Sequence, residues 1–162
     1  MGKRRVLFAS AAVVAVGIGV GGIATAGGHN DKLHAQMRST FEVPAINDTD
    51  GRGTARVTLD ADAGEVCYDL DFSRIGTPDK AHIHTGAEGV PGPVFILLFD
   101  VNPVSGTPND EISNDLERGH IKRCNVGVDA AKIMQVMADP AGFYVNLHNA
   151  RYPAGALRGQ LR

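Results

Sequence analysis

Apolar and polar residues alternate along most of this chain. Leu33, Ala35 and Met37 alternate with His34, Gln36 and Arg38. Ala55, Val57 and Leu59 alternate with Arg56, Thr58 and Asp60, and Val66, Tyr68, Leu70 and Phe72 with Cys67, Asp69 and Asp71. Period-two patterning of this kind predicts half-buried antiparallel strands. Asp62-Ala63-Gly64 supplies a hairpin turn between the second and third of these runs. Residues 94–99 are continuously apolar, which predicts a central strand covered on both faces. Residues 100–120 are rich in Pro, Asn, Asp, Ser and Gly and read as a long surface loop. One helix is predicted after Asp129, a good cap, with Ile133, Val136 and Met137 on its apolar side and Pro140 past its end. Two strands close the chain, 143–148 and 156–161, joined through Pro153-Ala154-Gly155. Many short strands with one short helix predict an all-β fold. The expected architecture is an antiparallel Greek-key β-sandwich, immunoglobulin-like or superoxide-dismutase-like.

The same parity argument exposes candidate chemistry. Ala81 and Ile83 share one strand face, and His82 and His84 share the other. In 143–148 the apolar set is Phe143, Val145 and Leu147, opposite Tyr144, Asn146 and His148. In 156–161, Arg158 and Gln160 lie opposite Leu157 and Leu161. If these strands are neighbours, one surface that the core does not need collects all seven polar side chains.

The N-terminus changes the cellular picture. Lys3, Arg4 and Arg5 precede an apolar run to Ala26, and Ala24-Thr25-Ala26 resembles a small-residue cleavage site. The run reads as a signal peptide, or as an uncleaved anchor, since about 20 apolar residues can span a bilayer. Residues 27–32 form a polar leader, and 33–162 a single domain. The segment before residue 27 holds three of the 16 basic residues and none of the 18 acidic ones, so its removal leaves a surplus of five negative charges. An acidic domain of this kind argues against nucleic acid as a partner. A membrane enters only if the N-terminal segment is retained. In an exported protein, Cys67 and Cys124 read as a disulfide.

Two segments carry a family resemblance: AHIHTGAEGVPGPV at 81–94, and YVNLH followed by PAGALRGQLR at 144–162. Together they resemble the signature of the chordin-type, or CHRD, domain. FEVPAINDTDGRGTARVTL and GEVCYDL resemble its first half, so the likeness covers 33–162. It implies an extracytoplasmic β-sandwich module, secreted or held at the cell envelope. In animals the member that gives the family its name is a secreted antagonist of growth factors.

Three functional readings follow. In the first, His82, His84 and His148 hold one copper or zinc ion, with Tyr144, Asn146, Arg158 and Gln160 around them. Three imidazoles suit either metal and leave a fourth position open. Such ligation weakens below about pH 6, because the imidazoles must be neutral. In the second, the same residues form a structural hydrogen-bonded network. The domain is then an adhesion or interaction module for an extracellular or envelope partner, with the acidic loop as its surface. That loop carries Asp110, Glu111, Asp115 and Glu117, in no spacing that matches a calcium loop. The third is a copper redox enzyme. Copper–zinc superoxide dismutase is similar in using a His-x-His strand, a later His and a nearby Arg that draws in the anion, but no bridging histidine is evident here. No nucleophile motif and no phosphate-binding loop is present, so a non-catalytic domain is expected. Cleavage after Ala26 would also create a Gly27-Gly28-His29 terminus, a nitrogen set suited to Cu(II) or Ni(II) through His29, whereas cleavage after Ala24 would not. Asn47-Asp48-Thr49 is a glycosylation sequon, and His34 and His120 read as isolated surface residues.

Overall fold

A computed structural model describes residues 30–101 and 110–162. The N-terminal segment, His29 and residues 102–109 of the expected loop lie outside the described residues. Seven strands form where the sequence predicted them, β1 (Asn30–Arg38), β2 (Arg52–Asp60), β3 (Glu65–Ser73), β4 (Lys80–Thr85), β5 (Val94–Asp100), β7 (Phe143–His148) and β8 (Leu157–Gln160), and an eighth that it did not predict, β6 (His120–Val126), forms between the expected loop and the expected helix. β1 reaches back through Asn30 into the polar leader. At the β2–β3 turn the Asp60 carboxylate accepts a hydrogen bond from the Ala63 N–H at 2.9 Å.

The strands make one antiparallel sheet in the order β5-β4-β7-β8-β1-β2-β3-β6. The two layers of the expected sandwich are therefore halves of a single curled sheet. Its two edges approach each other, and the Asn125 side chain on β6 donates to the carbonyls of Leu97 (2.9 Å) and Leu98 (2.8 Å) on β5. With β5 brought beside β6, the consecutive strands β4, β5 and β6 are flanked by β7 and β3, which is a Greek-key arrangement. Val57, Leu59, Val66, Leu70, Ile83, Ile121, Val145 and Leu147 fill the interior. Cys67 and Cys124 face each other across β3 and β6 and are joined by a disulfide.

Two sequence expectations change. Residues 94–99 form an edge strand, not a central one: Val94 and Leu97 are about half exposed while Ile96, Leu98 and Phe99 are buried. A run that is apolar throughout hides which residues point outward, and here one face stays open. The 100–120 segment is also not all loop, because helix α1 (Asp110–Glu117) forms within it. Ile112 and Leu116, four residues apart, turn one helical side onto the core. The predicted second helix forms as α2 (Ala130–Ala138), capped by Asp129, whose carboxylate accepts from the Ala131 N–H at 2.9 Å. α2 buries Ile133 and Val136, and its Lys132 Nζ donates to the Phe95 carbonyl on β5. Side chains from β6 and α2 thus occupy backbone acceptors on the open edge.

Candidate metal centre

β4, β7 and β8 are hydrogen-bonded neighbours, and their register sets the expected polar residues in rows across one face. His84 pairs with Tyr144 and Tyr144 with Gln160; His82 pairs with Asn146 and Asn146 with Arg158; Lys80 pairs with His148. The expectation that this face is displayed away from packing needs correction. His84, His148, Asn146 and Arg158 are buried, and every residue of β7 is buried. Loop residues on both sides of the sheet's polar face cover it, so the structure carries a polar layer outside its apolar core.

Within this layer the three histidines converge. The ring centroids of His82 and His148 are 5.0 Å apart, those of His82 and His84 5.5 Å, and those of His84 and His148 5.6 Å. Hydrogen bonds fix which nitrogens are free. His84 Nδ1 lies 2.9 Å from the Gly92 carbonyl and His148 Nδ1 lies 3.1 Å from the Pro153 carbonyl. A carbonyl only accepts, so both Nδ1 atoms carry the proton, and both Nε2 atoms present lone pairs. His148 Nε2 then meets His82 Nδ1 at 3.1 Å. His84 Nε2 is buried and makes no hydrogen bond. One nitrogen from each ring lies within 4.8 Å of the other two. Two nitrogens bound tetrahedrally at zinc distances stand about 3.3 Å apart, so the His82–His148 spacing already suits a shared ion. Backbone carbonyls on the far ring nitrogens are the usual means of orienting histidine ligands.

Electrostatics favour neutral rings. Burial pushes His82 and His148 down to about 4, with the neighbouring histidines and Lys80 adding in the same direction. Burial also lowers His84, and Arg158 lowers it further, against the bond to Gly92. The expected acid limit near pH 6 therefore moves lower, since the imidazoles stay unprotonated well below that value. Among the described residues no fourth His, Cys, Asp or Glu joins this cluster.

The four flanking residues have other work. The Arg158 guanidinium carbon sits 3.5 Å from the Tyr144 ring centroid, and Nη2 donates to the carbonyls of Ala87 (2.9 Å) and Val90 (2.8 Å). Tyr144 in turn stacks on His84 at 5.0 Å, and its hydroxyl accepts from the Gly92 N–H at 3.2 Å. Gln160 Nε2 donates into the carbonyls of Gly86, Ala141 and Phe143. Arg158, Tyr144 and Gln160 thereby hold the 86–92 loop, whose Gly92 carbonyl orients His84. A side chain at position 92 would collide with the Thr85 carbonyl, so glycine is what lets the loop lie this close. Arg158 faces loop carbonyls rather than the imidazoles, unlike the anion-guiding arginine of the dismutase comparison.

Glu42 was not legible as part of this layer. It follows a 3-10 turn, Ser39–Phe41, and is only 6% exposed. Its Oε2 accepts from Asn146 Nδ2 at 3.2 Å, and burial raises its carboxyl to about 7, against the lowering effects of that bond and of Arg158. The sequence signal is one acid set between Phe41 and Val43, which by itself is common. Gly155 supplies the room, since a Cβ there would overlap the Glu42 carboxylate.

The other clusters of potential ligands are committed elsewhere. Asp69, Asp71 and His120 gather on the outer face of β3 and β6, but Arg56 pairs with both carboxylates and Lys122 with Asp69. His120 is thus not isolated as expected, lying 3.2 Å from Asp69, whereas His34 is exposed on β1 as expected. Glu65 lies beside Cys67 and Cys124, whose sulfurs are joined to each other.

The family model for the CHRD domain matches residues 33–161. The chain belongs to the CHRD domain family. The matched span runs from β1 to just past β8 and takes in every residue of the polar layer, so the histidine cluster belongs to the CHRD domain itself. No curated protein and no solved structure matches the chain.

Proposed function

We propose that this CHRD domain is an extracytoplasmic, non-catalytic module that holds one copper or zinc ion through His82, His84 and His148. The observation that carries the reading is the convergence of three ring nitrogens, with His84 Nε2 buried and unpartnered. A buried nitrogen lone pair without a donor is costly unless something occupies it. A divalent or cuprous ion satisfies the His84 and His148 lone pairs together with that of His82 Nδ1, which donates to His148 in the metal-free protein and gives up its proton on ligation. The depressed basicity of the rings favours a metal over a proton at neutral pH. The structural-network reading is retained for Arg158, Tyr144 and Gln160, whose bonds are to loop backbone. The Cys67–Cys124 disulfide and the N-terminal basic-then-apolar segment both suit an oxidising, exported location.

The test is elemental analysis after loading with Cu or Zn and exhaustive dialysis. One equivalent should remain in the wild type. His84→Ala and His148→Ala should each weaken retention by more than the roughly 10–100-fold that loss of an outer partner costs. Equal retention by the variants, or none in the wild type, contradicts the proposal.

A further inference from the structure

Glu42 stands in the wall of a cleft of about 500 Å³, yet its Oε1 is sealed from solvent and has no hydrogen-bond partner. Asn146 Oδ1 is sealed and unpartnered in the same way. These two acceptors belong to groups already in contact, because Asn146 Nδ2 donates to Glu42 Oε2 at 3.2 Å. Both groups close over Gly155, where a Cβ would overlap Glu42 Oε2 and crowd Asn146 Oδ1. An ionised carboxylate offers no donor, so both acceptors stay unmet while Glu42 is charged. No ligand reaches them from outside. One proton on Glu42 removes both defects, since Oε1 then donates and Asn146 Oδ1 accepts. A carboxylic acid and a primary amide make two bonds in this way, one in each direction.

The charged groups around Glu42 fit a neutral acid. Arg158, on β8, is near enough to act on its titration, but Nη2 donates to the carbonyls of Ala87 and Val90 rather than to the carboxyl group. Glu88 from the 86–92 loop and Arg162 from the chain's end line the same cleft with opposite charges. Asn146 and Gly155 bring none. Burial therefore prevails and keeps the carboxyl neutral up to about 7, against the bond from Asn146 and the charge of Arg158. Once ionised, the carboxylate competes with two neutral carbonyls for the guanidinium, and the charge-assisted bond is the stronger. We propose that Glu42 and Asn146 share one proton and act as a pH latch. Closed, the latch leaves Arg158 on the 86–92 loop; open, the Glu42 carboxylate draws Arg158 off it. That loop orients His84 through the Gly92 carbonyl, so the latch regulates the histidine cluster; this last step rests on the metal reading.

The experiment combines difference infrared spectroscopy and ¹⁵N NMR of the protein between pH 6 and pH 8. At pH 6 the wild type should show the carbonyl stretch of a buried neutral carboxylic acid, absent from Glu42→Gln and lost from the wild type by pH 8. The amides of residues 86–92 should shift in the same transition. Glu42→Gln can make both bonds to Asn146 at either pH, so its loop should stay unmoved. The zinc affinity of the wild type relative to Glu42→Gln should fall about tenfold from pH 6 to pH 8, as for loss of an outer partner. A carboxylate at pH 6, with a trapped water as the donor, overturns the proposal. So does ionisation that leaves residues 86–92 unmoved, or a loop shift that persists in Glu42→Gln. A constant ratio of zinc affinities overturns the link to the histidines. The infrared and loop transitions in a protein that holds no zinc at either pH would uphold the latch and remove the metal reading.

Discussion

At the scale of single residues, the molecule is organised by which nitrogen of each ring is committed. The Gly92 and Pro153 carbonyls take the Nδ1 protons of His84 and His148, and the remaining lone pairs are turned toward one another. Gly92→Ala should therefore weaken metal retention by about 10–100-fold although residue 92 is not a ligand; unchanged retention would remove the loop from the account. The titration behaviour gives a second prediction. An unfolded histidine titrates near 6.5, whereas His82 and His148 resist protonation to about 4. Between these values the unfolded chain takes up protons that the folded chain refuses. Stability of the metal-free protein is thus full above pH 6.5 and falls as the pH drops toward about 4. Glu42 acts with the opposite sign: its folded carboxyl is raised to about 7, so its contribution is present below 4.5 and is lost as the pH rises through 7. Denaturant midpoints should fall on acidification, and Glu42→Gln should be more stable relative to wild type at pH 8 than at pH 5. A flat profile would contradict both assignments. Parity placed seven of these polar side chains on one face from the sequence, because period two is a local property. It did not reveal that the face is buried, because a strand's period does not show how the next loop folds back over it, and the 86–92 loop is held there by Arg158, about 70 residues away. Glu42 stayed hidden for the same reason: its partner Asn146 is 104 positions distant.

At the scale of elements, the alternating runs became strands where they were expected, and the two misreadings share a cause. Residues 94–99 carry no alternation, so the sequence could not distinguish an edge strand from a central one. α1 is short, and its Ile112–Leu116 pair is a single helical repeat inside a polar, Pro-containing segment. Both lie near the place where β5 and β6 approach each other. The Cys67–Cys124 bridge ties edge strand β6 to β3 and closes a long loop. Replacing both cysteines with serine should cost about 4 kcal/mol in urea unfolding under the chain-entropy model. Asn125→Ala, which releases the carbonyls of Leu97 and Leu98, should cost about 1 kcal/mol. An Asn125 variant as stable as wild type would mean that the side chain does not hold the sheet edges together.

At the scale of the whole molecule, one curled antiparallel sheet presents two different surfaces. Its concave interior is apolar and accounts for folding. The outer face of β4, β7 and β8 carries a buried polar layer that folding alone does not require, with three imidazoles at one end and the Glu42 cleft at the other. The family and the all-β class were legible in the two histidine- and glycine-bearing segments, since those segments fix strands, turns and the loop that locks His84. The central claim is that the imidazoles are ligands. X-ray absorption on the zinc-loaded wild-type protein tests it most directly. The account predicts one zinc per chain with three imidazole nitrogens near 2.0 Å and one exogenous oxygen ligand. A site built from carboxylate oxygens, or a protein that emerges from gel filtration without zinc, would contradict it.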